Sequence, residues 1–167
     1  MNENLVKKFR ETGIVPVIKL ESPDKALPLA EALLRAELPI AEITFRTEAA
    51  EASIRSVART LPQMLVGAGT VLTVEQARRA LDAGARFAVT PGFNARVVEF
   101  CLDKGLPVFP GVNSPTNVEQ AMEYGLTVLK FFPAEVSGGT AMLKALQGPY
   151  GGMSFIPTGG VNPDNAA

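Results

Sequence analysis

The stretch "YGLTVLKFFP", residues 124–133, decides how the chain is read. A helix-like segment runs into Gly125, a short apolar run follows at once, and Pro133 ends it. The same order recurs in "AGARFAVTPG" (83–92) and "KGLPVFPG" (104–111). The three glycines, Gly84, Gly105 and Gly125, are spaced 21 and 20 residues apart. Glycine suits the left-handed position that ends a helix, and the apolar run after it supplies a strand. One residue jars. Lys130 sits inside a run that reads as buried on both faces, and a buried ammonium is costly unless it is paired or gives up its proton.

Working outward, the same unit predicts strands at 14–18, 40–45, 64–69, 86–90, 107–109, 127–132 and 154–157. Amphipathic helical stretches lie between them. Ser22-Pro23 and Ser114-Pro115 read as an N-cap followed by proline at the first helical position, and Thr73 to Gln76 as a capping box. Regular strand–helix alternation implies parallel strands joined by right-handed crossovers. About seven such units favour an α/β fold of the (β/α)₈ TIM-barrel type over an open sheet, with residues 1–167 as one domain. Glu37 stands where the other repeats carry glycine. A left-handed glutamate would cost roughly 1 kcal/mol, so a different kind of helix end is the alternative there. The final stretch, "PTGGVNPDNAA", supplies a strand end, a loop and a helix start at Asn162-Pro163. A barrel calls for a further helix, an eighth strand and a closing helix. The expectation is therefore of a sequence truncated at its C-terminus.

Composition narrows the chemistry. With 167 residues, 47% hydrophobic, 20% charged and a net charge of −1, the chain fits one soluble domain with a sizeable core. A near-neutral balance gives no reason to expect nucleic acid or an anionic membrane as partner. No apolar run approaches the ~20 residues of a membrane span. The N-terminal "MNENLVKKFRETG" is amphipathic, without the apolar core of a signal peptide. A single cysteine, Cys101, fits a reducing, cytoplasmic setting, and its place mid-helix reads as inert packing. There is no histidine, so acid–base work falls to Lys, Glu, Asp or Tyr.

In a barrel, polar groups at the C-terminal ends of strands form the site. Alternation along "IAEITFRT" puts Ile40, Glu42, Thr44 and Arg46 on one face and Ala41, Ile43 and Phe45 on the other. In the later strand Val128, Lys130 and Phe132 share a face. Glu42, Arg46 and Lys130 can therefore converge, either as a structural ion pair plugging the barrel or as chemistry. In the second reading burial and a nearby cation favour the neutral amine of Lys130, which attacks a carbonyl. Glu42 then moves protons, and Arg46 offers a planar fork to a carboxylate. "VGAGTVL" has Leu72 where a dinucleotide fingerprint wants a third small residue, so a tight turn with Thr70 donating a hydroxyl is the better reading. "PTGGVNP" is either a phosphate loop at Thr158, Gly159 and Gly160 or an ordinary glycine turn before a capped helix. "VSGGT" (136–140) reads as the loop that opens a helix.

These motifs, with "VPVI" (15–18), "EITFRT" (42–47), "VGAGTVLT" (66–73), "TPGFN" (90–94), "FPGVNSPTN" (109–117) and "LKFFPAE" (129–135), resemble the 2-keto-3-deoxy-6-phosphogluconate / 4-hydroxy-2-oxoglutarate aldolases across essentially the whole chain. The resemblance implies a class I aldolase of carbohydrate metabolism (the Entner–Doudoroff pathway), on a (β/α)₈ barrel, homotrimeric as a rule, using neither metal nor cofactor. It implies that Lys130 forms the Schiff base, that Glu42 shuttles protons, and that Arg46 and Thr70 bind the pyruvate carboxylate region. Pro91 and Phe132 would line the pocket, and Thr158, Gly159 and Gly160 would hold a phosphate. The substrate would be a 2-keto-3-deoxy sugar acid phosphate, cleaved to pyruvate and glyceraldehyde 3-phosphate, with 4-hydroxy-2-oxoglutarate (pyruvate and glyoxylate) as a second. The rivals are a non-catalytic barrel that binds a phosphate ligand and an inactive fragment of the aldolase. The family completes its phosphate site with a loop after strand eight, which this sequence lacks, so trimer assembly is in question for this chain.

Overall fold

A computed structural model of the chain describes residues 3–165; Met1 and Asn2 of the N-terminal stretch, and Ala166 and Ala167 of the final one, lie outside the described residues. Helix and strand alternate throughout, in two compact units.

The first unit lies within Met1–Val89 and Ala95–Val108. It runs α1 (Glu3–Thr12), β1 (Val17–Ile18), α2 (Ala26–Arg35), β2 (Ile40–Thr44), α3 (Ala50–Thr60), β3 (Leu65–Gly69), α4 (Val74–Asp82), β4 (Ala88–Val89) and α5 (Ala95–Asp103). The strands neighbour one another in chain order and pair in parallel, with Val17 opposite Glu42, Thr44 opposite Gly69 and Ala68 opposite Ala88. All five residues of β2 are buried, as a parallel sheet covered on both faces requires. Ile40, Ile54, Val66, Phe87 and Val97 are wholly enclosed in its core. Val108 carries the sheet on to β5 (Val108–Phe109).

The second unit lies within Thr90–Asn94 and Phe109–Ala167. It contains β6 (Gly111–Val112), α6 (Pro115–Glu123), β7 (Val128–Phe131), a 3₁₀ turn (Glu135–Ser137), α7 (Gly139–Gln147) and β8 (Ser154–Pro157). β7 is the central strand of a parallel three-stranded sheet, with Lys130 opposite Gly111 on one side and Ile156 on the other. Phe131, Ala134 and Leu146 form a cluster there, packed by Met142, Leu143, Tyr150 and Phe155.

Three strands depart from the sequence reading: the one expected at 86–90 is reduced to Ala88–Val89, and two others change at prolines. The strand expected at 107–109 runs further but is cut into β5 and β6 at Pro110, which has no N–H to give a ladder. The Pro110 carbonyl still accepts from the Lys130 amide at 2.9 Å. Seven of the eight strand segments thus fall at the seven expected positions, and β6 lies just beyond the fifth. The first strand, expected at 14–18, is reduced to Val17–Ile18. Pro16 contributes only as acceptor, from the Glu42 amide at 2.9 Å. "VSGGT" opens α7 as expected, through left-handed Gly138 and Gly139.

The helix ends repeat one device. At Gly84, Gly105 and Gly125 the left-handed residue donates to the carbonyl three back, and the next residue donates to the carbonyl five back. This is the Schellman arrangement. Glu37 does the same: φ is 59°, its amide reaches Leu34 O at 3.1 Å, and Leu38 N reaches Leu33 O at 2.9 Å. The helix therefore ends there as its siblings do, at a strained residue. At the other end of helices, Thr73 Oγ1 accepts from Gln76 N at 3.1 Å, while Gln76 Oε1 accepts from Leu72 N at 2.7 Å, one residue outside the usual box. Ser114 Oγ accepts from Asn117 N, whereas the Ser22 hydroxyl goes to the Asp24 carboxylate and caps no backbone.

Glu37 is exposed and left-handed, so glycine relieves its strain without removing a contact in the core. Glu37→Gly is expected to stabilise the fold by about 0.5–1 kcal/mol, the relief of left-handed strain less the entropy glycine adds to the unfolded chain. Urea unfolding at constant m-value measures it.

Candidate active site

In the first unit the polar groups gather where β2 and β3 end. Glu42 lies mid-strand and is 4% exposed; Thr44, two residues on, is 1% exposed. The neighbouring strand offers Gly67 and Gly69 to these side chains. A Cβ on Gly69 would stand 2.0 Å from Glu42 Oε1, and one on Gly67 would stand 2.3 Å from the Phe87 ring. "VGAGT" is therefore a packing requirement: its glycines make room for a carboxylate and a phenyl ring. Thr44 Oγ1 donates to Ile18 O at 2.8 Å and accepts from Arg46 Nε at 3.1 Å, holding an otherwise exposed arginine at the strand's end. Thr70 follows Gly69 with φ of 53°. For a β-branched residue that conformation is strained by about 1–3 kcal/mol.

In the second unit Lys130 occupies the middle of β7 and is 6% exposed. Its Nζ lies 5.1 Å from the centre of the Phe132 ring, within the range of a cation–π contact. Its register partner is Gly111, where a Cβ would stand 2.1 Å from Pro91 O. Glycine there admits the Pro91 backbone beside the lysine strand. Thr90 fixes that turn, its buried hydroxyl donating to Gly92 O at 2.6 Å. Beyond β7 the chain stays tied to the loop after β8: Ala134 N donates to Thr158 O at 2.8 Å and Glu135 N to Gly159 O at 3.0 Å. The Thr158 amide is itself engaged, donating to Phe131 O at 2.9 Å. That amide is thus committed to the sheet, and the Thr158 hydroxyl donates to Ile156 O at 3.4 Å. Gly159 and Gly160 are left-handed, with φ of 95° and 82°, and a Cβ on Gly160 would stand 2.5 Å from Glu135 Cβ.

At the expected helix start the described residues form a hydrogen-bonded turn, Asn165 N donating to Asn162 O at 3.2 Å, and side chains cap it reciprocally. Asp164 N donates to Asn162 Oδ1 at 2.9 Å, and Asn162 N donates to Asn165 Oδ1 at 2.7 Å. Asn165 Nδ2 also donates to Gly160 O at 3.0 Å, bracing the glycine loop. Cys101 is fully enclosed, and burial pushes its thiol up to about 12. It is packing, as its place in the sequence implied. Glu42, Arg46 and Thr70 thus share one unit, while Pro91, Lys130, Phe132 and Thr158 to Gly160 share the other.

The family model for KDPG and KHG aldolase matches residues 5–167. The chain belongs to that aldolase family. It is 49% identical over 163 residues to the 2-dehydro-3-deoxy-phosphogluconate aldolase of Haemophilus influenzae, covering 98% of this chain and 77% of the relative. Among solved structures it resembles the KDPG aldolase of Legionella pneumophila with pyruvate captured at low pH as a covalent carbinolamine intermediate: TM-score 0.92, 38% identity, 95% of this chain and 77% of that one. It also resembles the 2-keto-3-deoxy-6-phosphogluconate aldolase of Zymomonas mobilis with 3-phosphoglycerate: TM-score 0.94, 34% identity, 99% of this chain and 79% of that one. The fold is accordingly α/β of the (β/α)₈ TIM-barrel type. No helix among the described residues is long and apolar enough to cross a membrane.

Sequence reasoning placed Glu42 and Lys130 within strands and missed their settings. Gly111 and Asn165 are the clearest omissions. The doubled "PG" of "TPGFN" and "FPGVN" was the available signal for the first; nothing in the sequence signalled the second.

Two outcomes follow from the packing. Gly69→Ala drives a methyl into the Glu42 carboxylate, whose flexible end can yield, so the fold should persist with a modest fall in Tm while turnover drops at least tenfold. Unchanged turnover would show that the carboxylate's position is immaterial. Cys101 should resist thiol reagents in native protein at pH 8 and react fully once the chain is unfolded, with the thiol count read by absorbance.

Proposed function

We propose that this chain cleaves a 2-keto-3-deoxy sugar acid phosphate to pyruvate and glyceraldehyde 3-phosphate as a single (β/α) barrel domain, with Lys130 as the nucleophile. The observation that carries the assignment is a lysine buried in the central strand of a sheet, beside a glycine partner, in a chain of the class I aldolase family.

The Lys130 amine adds to the C2 carbonyl of the keto acid, giving a carbinolamine that loses water to an iminium. Glu42 takes the proton of the C4 hydroxyl. The C3–C4 bond then breaks, its electron pair moving into the iminium to form an enamine while the aldehyde departs. Glu42 returns the proton to C3, and water releases pyruvate and the free amine. Each half of the cycle uses the same carboxylate, first as base and then as acid. Arg46 holds the substrate carboxylate through its planar fork, helped by the Thr70 hydroxyl. Pro91 and Phe132 wall the pyruvate end. The Thr158 hydroxyl and the Gly159 and Gly160 amides receive the phosphate. The shorter 4-hydroxy-2-oxoglutarate fits the same reaction without using the phosphate loop.

Borohydride reduction with pyruvate, followed by peptide mass mapping, should place a pyruvate-derived adduct on Lys130. Lys130→Met should abolish both adduct and turnover. Glu42→Gln should still form the adduct but lower kcat by about 10²–10⁴-fold, the usual contribution of a positioned general acid–base group. Turnover by the lysine variant would sink the mechanism, and ligand binding without any adduct in folded protein would favour a non-catalytic phosphate-binding barrel.

A further inference from the structure

The first unit carries an ion-pair network that the aldol chemistry does not use. Glu51, in the first turn of α3, receives Arg79 Nε on Oε2 at 2.7 Å and Arg55 Nη2 on Oε1 at 2.7 Å. Arg55 is tied in turn to Asp82 O at 3.2 Å. The Arg79 hydrogen bond, with Arg55 adding to it, holds the Glu51 carboxyl below its ordinary value, and Arg79 is raised for the same reason. Counted as a surface salt bridge this would matter little. Its location makes it more than that. The Arg79 guanidinium, so held, lies over the Phe45 ring, 5.6 Å from its centre. Phe45 immediately precedes Arg46.

The main chain around Arg46 is fixed from three directions. Phe45 N donates to Gly69 O at 2.8 Å. Thr47 Oγ1 donates to Leu20 O at 2.5 Å, and Arg46 Nε itself donates to Thr44 Oγ1. These bonds set the backbone and one edge of the guanidinium. None of them restrains the Phe45 side chain. The Arg79 plane clamps it. A guanidinium suits this task because it can stack on a ring and keep its N–H edge for a carboxylate.

We propose that Arg79, held by Glu51, is a positioning residue for Arg46: it clamps the β2–α3 turn through Phe45 and so sets the fork that grips the substrate carboxylate. This rests on the reading of Arg46 as the carboxylate-binding residue. Loosening the clamp weakens binding of the keto acid and leaves the bond-breaking step alone, because Lys130 lies on β7 and Glu42 is fixed mid-β2 by pairing to β1 and β3, three residues before the clamped ring.

Helix α4 supplies its own control. Arg78 makes a similar pair of contacts, an ion pair with Glu75 at 3.8 Å and a stack on Phe100 at 5.1 Å, but reaches no residue of the 45–49 turn. The experiment is steady-state kinetics of the full chain on 2-keto-3-deoxy-6-phosphogluconate, with Tm alongside, for Arg79→Met, Arg79→Lys, Glu51→Gln, Arg78→Met and Arg46→Met. Arg79→Met and Glu51→Gln should raise KM about 5- to 20-fold with kcat within twofold of the parent. Arg79→Lys should recover only part of that, since it keeps the charge and loses the plane. Arg78→Met should lower Tm comparably and leave KM unchanged. Equal KM changes for the Arg78 and Arg79 variants, or a change in kcat alone, would overturn the proposal. Arg46→Met separates the two levels of inference. If it raises KM while Arg79→Met does not, the clamp is wrong and the site stands; if Arg46→Met leaves KM untouched, the reading of Arg46 falls and the clamp with it.

Discussion

The constraint on which this structure turns is the presence of ionisable side chains in the middle of buried parallel strands. Glu42 and Lys130 each stand in such a strand, and each has a glycine as register partner on the next one, Gly67 and Gly111. A charged group taken out of water needs polar neighbours or a change of protonation state, and it needs room. The strand glycines leave room for what packs beside these groups, and at Gly69 for the carboxylate itself. Over Gly69 it is filled by the Glu42 carboxylate itself, over Gly67 by the Phe87 ring, and over Gly111 by the Pro91 carbonyl. A side chain at any of these three positions would collide with what now lies there. The glycines of the strands are thus determined by the chemistry beside them, and the glycines of the helix ends by backbone conformation alone.

This difference explains what could be read from the sequence. A helix-ending glycine acts within five residues of itself, through the two backbone bonds of the Schellman arrangement, so its signature is local and repeats. The 20-residue rhythm of Gly84, Gly105 and Gly125 therefore carried the alternation and the strand positions. Glu37 shows the limit. The carbonyls of α2 must be satisfied whatever residue follows, and here a glutamate accepts the left-handed conformation that propensity argues against. Pro110 is a limit of another kind. Its missing N–H cuts one strand into two segments without moving the chain off its path, because an extended proline can still accept a hydrogen bond.

The candidate site was legible to the extent that its residues contradict their surroundings. A lysine between Leu129 and Phe131, or a glutamate between Ala41 and Ile43, announces itself. Residues that agree with their surroundings do not. Arg79 and Glu51 look like the solvated faces of amphipathic helices, and only the fold brings them, 28 residues apart, to one point above Phe45. Gly111 and Pro91 are likewise unremarkable until they are seen to occupy one space. Long-range contact between ordinary residues is what a single sequence hides.

Thr70 and Glu37 make the last step possible, since they share a strained backbone conformation in unlike settings. Glu37 ends a helix at the surface, and no described hydrogen bond uses its side chain. Thr70 stands at the C-terminal end of β3, between Gly69, whose carbonyl anchors Phe45, and Val71, whose amide reaches Val89 O at 3.2 Å. Glycine would satisfy the backbone at either place more cheaply. A β-branched residue is the worst choice on conformational grounds, and its methyl adds nothing to the wholly enclosed core, as Thr70 is only half-buried. What threonine adds over glycine at this point is a hydroxyl, directed from a rigid strand end where barrel enzymes carry their chemistry. Strain at position 37 is therefore an accident of a helix end. At position 70 it accompanies a hydroxyl at a strand end, which is what the carboxylate-binding role proposed for Thr70 requires.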